Sequence, residues 1–367
     1  MTGPVPRQPR LGLTRADLDA LPNYVPGRSP ADLARELGLA EAIKLASNEV
    51  PFGPLPGVVE AVTEAVTGMH RYPDMGVVAL RDALAQRYGV EPERIATGCG
   101  SVALAEHLVR ATCLPGDEML YSWRSFEAYP IIAATSGASS VRVPNTPEHG
   151  HDLTAMAAAI TDRTRLVIVC NPNNPTGTSV RKAELDAFLD AVPQDVLVVI
   201  DEAYRELVTD RQVPDGLTYL DRPIVVVLRT LSKAWGLGGL LIGFLVAHPE
   251  VAAAVRKVVT PFSTSLAAQA GALAALAQAD EMRRRCDIVI GERDRVTEAL
   301  RKFVPEVPAS QANFVWLPLG DKAVEFGRAC EARGVIVRPF AGDGVRVTIG
   351  TPQENDAFLA AAEGALT

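Results

Sequence analysis

Lys233 is the residue whose setting first calls for a chemical explanation. It lies in "RTLSKAWGLGGLLIGF", Arg229 to Phe244, just after a Thr-x-Ser pair, and no side chain from Ala234 to Ala247 is charged. A desolvated lysine gives up its proton readily and becomes a nucleophile toward aldehydes, whereas a solvated surface lysine stays a cation. Two other segments carry polar groups in the same manner. "RLVIVC" runs into "NPNNPTG", "VLVVI" into "DEAY", and "IVVVLR" into "TLSKAWG". Each is a strand-like run that delivers polar side chains just past its end. An Asn-Pro turn, a helix-capping Asp or a surface Lys would each be unremarkable alone, but the three together point to a site.

The chemistry that would use them is that of an aldehyde cofactor held on Lys233 as a Schiff base. An electron-sink ring of this kind needs an acid at its ring nitrogen, and Asp201 supplies one. Its phenolic oxygen needs donors, which Asn174 and Tyr204 offer. A phosphate needs a helix start with free backbone N–H groups and hydroxyls. Gly100, Ser101 and Val102 in "TGCGSVALAEHL" provide the helix start, and Thr230 and Ser232 add hydroxyls. Phe126 in "WRSFEAY" is the candidate for the aromatic face over the ring, with a plain core phenylalanine as the alternative.

The elements that must position these residues follow from periodicity. "EMLYS", "SSVRVP", "RLVIVC", "VLVVID", "IVVVLR" and "LIGFLVA" are short Val- and Ile-rich runs without alternation, the pattern of strands buried on both faces. Helical segments such as "GVVEAVTEAVTGM", "VVALRDALAQRYG", "VALAEHLVRATC" and "RKAELDAFLDAV" precede or separate them. The expectation is an α/β fold, a large domain with a mainly parallel sheet sandwiched by helices, whose ligands bind at the carboxyl ends of the strands. After about residue 262 one long helical stretch is expected, followed by "NFVWLPL", "GVIVRPF" and "GVRVTIG" in a smaller α+β domain. The divisions are 1–50 as an N-terminal arm packing with the small domain, 51–265 as the large domain and 266–367 as the small one.

These segments together resemble the fold-type I pyridoxal-phosphate aminotransferases, and within them the histidinol-phosphate and aromatic amino acid aminotransferase family. The resemblance runs over nearly the whole chain, through "KLASNEVPFGP", "RYPD", "NPNNPTG", "DEAY", "RTLSKAWGLGGL", "ANFVWL" and "VRVTIGTPQEN". It implies pyridoxal 5'-phosphate on Lys233, with Lys233 also moving the substrate α-proton and Asp201 holding the pyridinium. It implies a homodimer with shared sites, in which Tyr72 reaches the phosphate in the partner subunit. It makes Arg346 the clamp for the substrate α-carboxylate, with Asn174 beside it. Asn313, Asn48 and Tyr24 would line the substrate pocket, although loop roles would explain Tyr24 and Asn48 nearly as well. One position departs from the pattern. The family reads Gly-Leu-(Ala or Gly)-Gly-Leu-Arg after the lysine, its arginine gripping the phosphate, and this chain has Leu241 there, expected to be buried.

The resemblance implies transfer of an amino group to a 2-oxo acid such as 2-oxoglutarate by a ping-pong mechanism. For the donor, "WRSFEAYP" and the region of Trp316 are similar to the actinobacterial aromatic branch, which favours phenylalanine; histidinol phosphate is the alternative. Arg338 could meet a distal phosphate or pair with an acid. A decarboxylase on the same scaffold would share every cofactor residue and is the more remote reading.

Composition sets the outer limits. The chain has 367 residues, 48% of them hydrophobic and 22% charged, enough for two cores. A net charge of −8 argues against nucleic acid or an anionic membrane surface as partner. The Pro- and Arg-rich start reads as an arm and not a secretory leader, and no uncharged run is long enough to span a bilayer. The five cysteines, Cys99, Cys113, Cys170, Cys286 and Cys330, are scattered, which suits a cytoplasmic chain with reduced thiols. No metal is expected, and the His149–His151 pair reads as part of a solvated loop.

Overall fold

A computed structural model describes Leu21 and residues 28–366. A seven-stranded sheet forms its centre. In chain order its strands are β2 (Ile95–Cys99), β3 (Glu118–Trp123), β4 (Ser139–Pro144), β5 (Thr164–Cys170), β6 (Leu197–Asp201), β7 (Val225–Thr230) and β8 (Ile242–Val246), following a short β1 (Ile43–Lys44) outside the sheet. They lie in the order β2-β8-β7-β6-β5-β3-β4, with β8 antiparallel to both its neighbours and every other pairing parallel. The expected mainly parallel sheet is therefore present.

The absence of alternation in these strands has the anticipated cause. Leu166, Ile168 and Cys170 of β5 pack into one core with α4 (Gly100–Thr112), α5 (Ala128–Ser136) and α8 (Pro249–Val258). Val167 and Val169 of the same strand pack into the opposite core with α6 (Leu153–Ala158) and α7 (Lys182–Ala191). Val226 and Leu228 against Val225 and Val227 repeat this division on β7. Each strand thus removes apolar surface from water on both faces, at about 25 cal/mol per Å².

The C-terminal part builds an antiparallel sheet in the order β11-β12-β9, from β9 (Phe314–Leu317), β11 (Arg338–Phe340) and β12 (Gly344–Thr348). Near it, β1 pairs in parallel with β10 (Val335–Ile336), so residues 43–44 are joined to the C-terminal unit. α1 (Pro30–Leu37), begun by the Ser29 hydroxyl accepting from the Asp32 N–H, buries Leu33 and Ala34 with Ala42, Ala46 and Ile336.

Two local features differ from expectation. "IATGC" forms strand β2, although only one of its residues is β-branched and apolar; its pairing with β8 decides its conformation. The long helical stretch after residue 262 is two helices, α9 (Leu266–Leu276) and α10 (Ala279–Leu300), broken at Ala277 and Gln278. Tertiary packing makes this break. α9 lies on α2 (Val58–Val66), its Gly271 close to Leu240 and Val62, while Arg293 of α10 reaches the carbonyls of Leu207 and Ala312.

A buried charge cluster ties β6 to β7 directly beneath the strand ends. The Arg229 guanidinium donates to Glu202 at 3.0 and 2.7 Å and to Asp215 at 2.6 Å, and Glu202 also accepts from the Gly216 N–H at 2.8 Å. Burial pushes the Glu202 carboxyl up, while Arg229 pulls it back. Removing one partner from such a cluster leaves buried charge incompletely paired, at a cost of about 3 kcal/mol or more. Glu202→Ala is therefore expected to lower the urea unfolding midpoint by that equivalent, and an unchanged midpoint would contradict this role.

Candidate functional site

The ends of β5, β6 and β7 fall in register, Cys170 opposite Asp201 and Asp201 opposite Leu228, so their following segments open into one cavity of ≈ 390 Å³. Asn174, Asp201, Tyr204, Thr230, Ser232 and Lys233 all line it. Lys233 is delivered by the turn from β7 to β8, which the Leu231 N–H closes onto the Ile242 carbonyl at 3.0 Å. Its Nζ donates to the Asn48 carbonyl at 3.0 Å. Burial, reinforced by the charge of Arg346, lowers its pKa to about 8. The neutral, nucleophilic amine is thus far more accessible near neutral pH than for a solvated lysine.

Asp201 is buried at the end of β6. Its Oδ2 accepts the Tyr129 hydroxyl at 2.7 Å, but its Oδ1 is buried with no hydrogen-bond partner among the described residues. Burial raises its pKa to about 6, with the Tyr129 hydrogen bond acting in the opposite direction. A buried acceptor left open in this way is costly unless a ligand donor meets it. A protonated ring nitrogen is such a donor, and it would favour the ionised carboxylate.

A second part of the cavity wall suits an anion. Gly100, at φ +78°, and Ser101 and Val102 open α4 beside Thr230 and Ser232. The Ser232 N–H is held by the Thr230 hydroxyl at 3.1 Å. Gly243 of β8 packs directly beneath, where an added Cβ would lie 2.5 Å from the Ser101 nitrogen. Only glycine lets the helix start approach the strand this closely. The lysine, the open acid and this cradle fit pyridoxal 5'-phosphate.

Arg346 enters from β12 of the smaller sheet. Its Nη1 donates to Asn174 Oδ1 at 2.7 Å and its Nη2 to the Ala46 carbonyl at 2.7 Å, holding the guanidinium at the cavity wall. Arg338 stands directly across the strand pair from Arg346 and also lines the cavity. It donates to Glu127 at 2.8 Å while remaining on the cavity wall, so the pairing with an acid and a place facing a ligand occur together. The Asn48 amide donates to the Tyr204 hydroxyl at 2.7 Å, and its Oδ1 accepts from Thr348 at 3.0 Å. Asn48 therefore lines the cavity and also fixes the position of Tyr204. Burial pushes the Tyr204 phenol well up, keeping it a neutral donor.

The remaining candidates are placed differently. Phe126 lines the cavity and meets Tyr129 edge-on, with ring centroids 5.5 Å apart. Asn313 is fully buried and does not line the cavity; it donates to the Glu49 carbonyl at 2.9 Å. Tyr72 is 80% exposed, stacked on Phe262 at 4.5 Å, and away from this chain's own cavity. Tyr24 lies outside the described residues. Leu241, expected to be buried, is 54% exposed at φ +51° on the cavity rim. The left-handed backbone of the turn leaves its side chain largely in solvent. His151 is no solvated loop residue either: its ring is half-buried, with Nε2 on the Cys170 carbonyl at 2.8 Å. No cluster of metal-ligating side chains occurs among the described residues.

Sequence reasoning missed Tyr129 and Glu127. Both belong to "SFEAY", three and one residues after Phe126, and that helix-start spacing was the available signal.

Comparison with known proteins identifies the family. The model of the family "Aminotransferase class I and II" matches residues 40–361. The chain is 56% identical over 350 residues to a protein of Streptomyces coelicolor named aromatic amino acid aminotransferase, covering 95% of this chain and 96% of that one. A protein of the same name from Rhodococcus jostii is 54% identical over 348 residues, with 95% and 94% covered. Among solved structures, histidinol-phosphate aminotransferase from Sinorhizobium meliloti in complex with pyridoxal-5'-phosphate superposes with a TM-score of 0.86 at 29% identity, over 97% of this chain and 98% of that one.

Two outcomes follow from the geometry. Capture of pyridoxal 5'-phosphate by the apoprotein requires neutral Lys233, so its rate should rise with pH and level off above about 8. Rapid-mixing absorbance from pH 6 to 9 checks this, and a flat profile would contradict it. Leu241→Arg should add a charge-assisted contact worth about 1.5 kcal/mol or more. Cofactor release on dilution should then slow at least about tenfold, and an unchanged rate would remove this position from the phosphate site.

Proposed function

The chain belongs to the class I and II aminotransferase family, a pyridoxal-phosphate-dependent enzyme, and we propose that it moves the amino group of an aromatic amino acid, phenylalanine first, to 2-oxoglutarate. One observation carries the reading. A lysine amine with its pKa lowered to about 8, a buried acid with an open Oδ1, and a guanidinium suited to a carboxylate all border a single cavity. The names of the relatives at 52–56% identity support an aromatic donor.

When bound, pyridoxal phosphate supplies the electron sink that makes the substrate α-proton acidic. The protein's own residues do the rest. Asp201 Oδ1 accepts from the ring nitrogen and keeps it protonated. Tyr204 and Asn174 act as donors at the phenolic oxygen. Gly100, Ser101, Val102, Thr230 and Ser232 surround the phosphate, and Phe126 covers the ring. Arg346 clamps the α-carboxylate by a bidentate pair. Lys233 Nζ, as the neutral amine, would take the proton from the substrate Cα and deliver it to the cofactor's C4′ carbon. Product leaves before the second substrate enters, which gives ping-pong kinetics. Tyr72, exposed on its own chain, serves the phosphate site of a partner subunit in a homodimer. The donor's α-carboxylate distinguishes phenylalanine from histidinol phosphate, which has none for Arg346 to hold.

The test is a comparison of kcat/KM for phenylalanine and histidinol phosphate, each with 2-oxoglutarate. Phenylalanine should exceed histidinol phosphate by more than about tenfold, with phenylpyruvate as product and no carbon dioxide released. The reverse order, or release of carbon dioxide in place of a 2-oxo acid, would overturn the reading.

A further inference from the structure

Glu127 has no place in the cofactor chemistry, yet it stands where the two sheets face each other at the cavity. It immediately precedes α5 and follows Phe126, a wall residue of the cavity. Its Oε2 accepts from Arg338 Nη2 at 2.8 Å, and Arg338 is itself a wall residue. Arg338 and Arg346 are cross-strand partners on β11 and β12, so two guanidinium groups enter the cavity side by side. Arg346 donates to Asn174 and to the Ala46 carbonyl. Arg338 instead carries a carboxylate from the large-sheet side. The two adjacent guanidiniums thus differ in one contact: Arg338 is paired with the Glu127 carboxylate.

A second pair, Arg124 with Asp343, crosses between the same two units. Arg124 also lies over the Phe340 ring, 5.4 Å from its centroid, and Arg338 lies over that ring at 5.6 Å. Holding the units together is thus shared, and Glu127 is not needed for that alone. Its distinctive effect is electrostatic. A substrate whose distal end is an anion must displace Glu127 from Arg338 or lie against its carboxylate. A distal phenyl ring has no charge to offer Arg338 and leaves the ion pair intact.

We propose that Glu127 is a specificity-determining residue that occupies Arg338 and so disfavours substrates with an anionic distal group relative to those with an apolar ring. The proposal rests on the transaminase reading above and adds to it the residue that sets the donor class. Both partners keep some contact with solvent, so the discrimination is set at about tenfold and not at the larger value of a fully desolvated pair.

The experiment uses the holoenzyme in single-turnover half-reactions, with phenylalanine or glutamate as the only substrate, followed by absorbance. Glu127→Gln should raise the glutamate-to-phenylalanine ratio of specificity constants about tenfold, chiefly by tighter binding of glutamate. Arg338→Met leaves the acid without its partner and should lower the same ratio. Opposite movements from the two ends of one ion pair are the signature of the proposal. Movement of the ratio in the same direction by both variants, or no movement in either, would overturn it and reduce the pair to a strap between the units. If the unaltered enzyme does not convert phenylalanine at all, the functional reading fails, and the inference fails with it; conversion of phenylalanine with unmoved ratios sinks the inference alone.

Discussion

Desolvation of two opposite charges at the ends of adjacent strands is the constraint on which this structure depends. Asp201 and the Lys233 amine are both taken out of water at one cavity, and burial is the leading cause of both pKa shifts, up for the acid and down for the amine. Left in water, the lysine would stay protonated and could not attack an aldehyde cofactor, and the carboxylate would spend its acceptor strength on water. In the dry cavity the amine is neutralised more easily, and the acid becomes fully ionised once a cationic ring nitrogen meets it. The fold has to keep both dry and close, and most of its features can be understood from that need. Strands buried on both faces allow the ends of β5, β6 and β7 to reach the interior. The Arg229–Glu202–Asp215 cluster lies just beneath them and locks β6 to β7.

The second requirement is that the cavity be closed by a separate unit. Arg346 and Arg338 come from the small sheet, whereas Asn174, Asp201 and Lys233 come from the large one. Polar contacts cross this boundary at the cavity, Asn174 with Arg346, Asn48 with Tyr204, Glu127 with Arg338, and Arg124 with Asp343, while a continuous apolar core that includes Tyr204, Leu207, Phe314 and Val345 runs beneath them. The shared apolar core supplies the cohesion, and the polar contacts fix orientation at the cavity. They also bring a substrate's carboxylate and its distal group under the control of one short strand pair.

Much of this was legible in the sequence, for identifiable reasons. The large sheet was visible because buried parallel strands leave a composition signature, as in "RLVIVC" and "IVVVLR". The residues that line the cavity from strand ends, Asn174, Asp201 and Lys233, could be read because strand direction alone says where they must emerge. Residues defined by a contact with a distant segment were not legible. Tyr129 matters because its hydroxyl meets Asp201, 72 positions away, and Glu127 because it meets Arg338, 211 positions away. The exposure of Leu241 depends on the left-handed backbone of its turn, which a leucine does not advertise. The break between α9 and α10 was hidden for the same reason, since neither Ala277 nor Gln278 breaks a helix unaided.

The central claim is that the amine of Lys233 is the covalent attachment point for the cofactor beside the buried Asp201. Its most direct test is borohydride reduction of the holoenzyme followed by proteolysis and mass spectrometry. The expected result is a single pyridoxyl-phosphate adduct on the peptide that contains Lys233. Finding that peptide unmodified in protein saturated with cofactor, or the adduct on another lysine such as Lys44, would contradict the account.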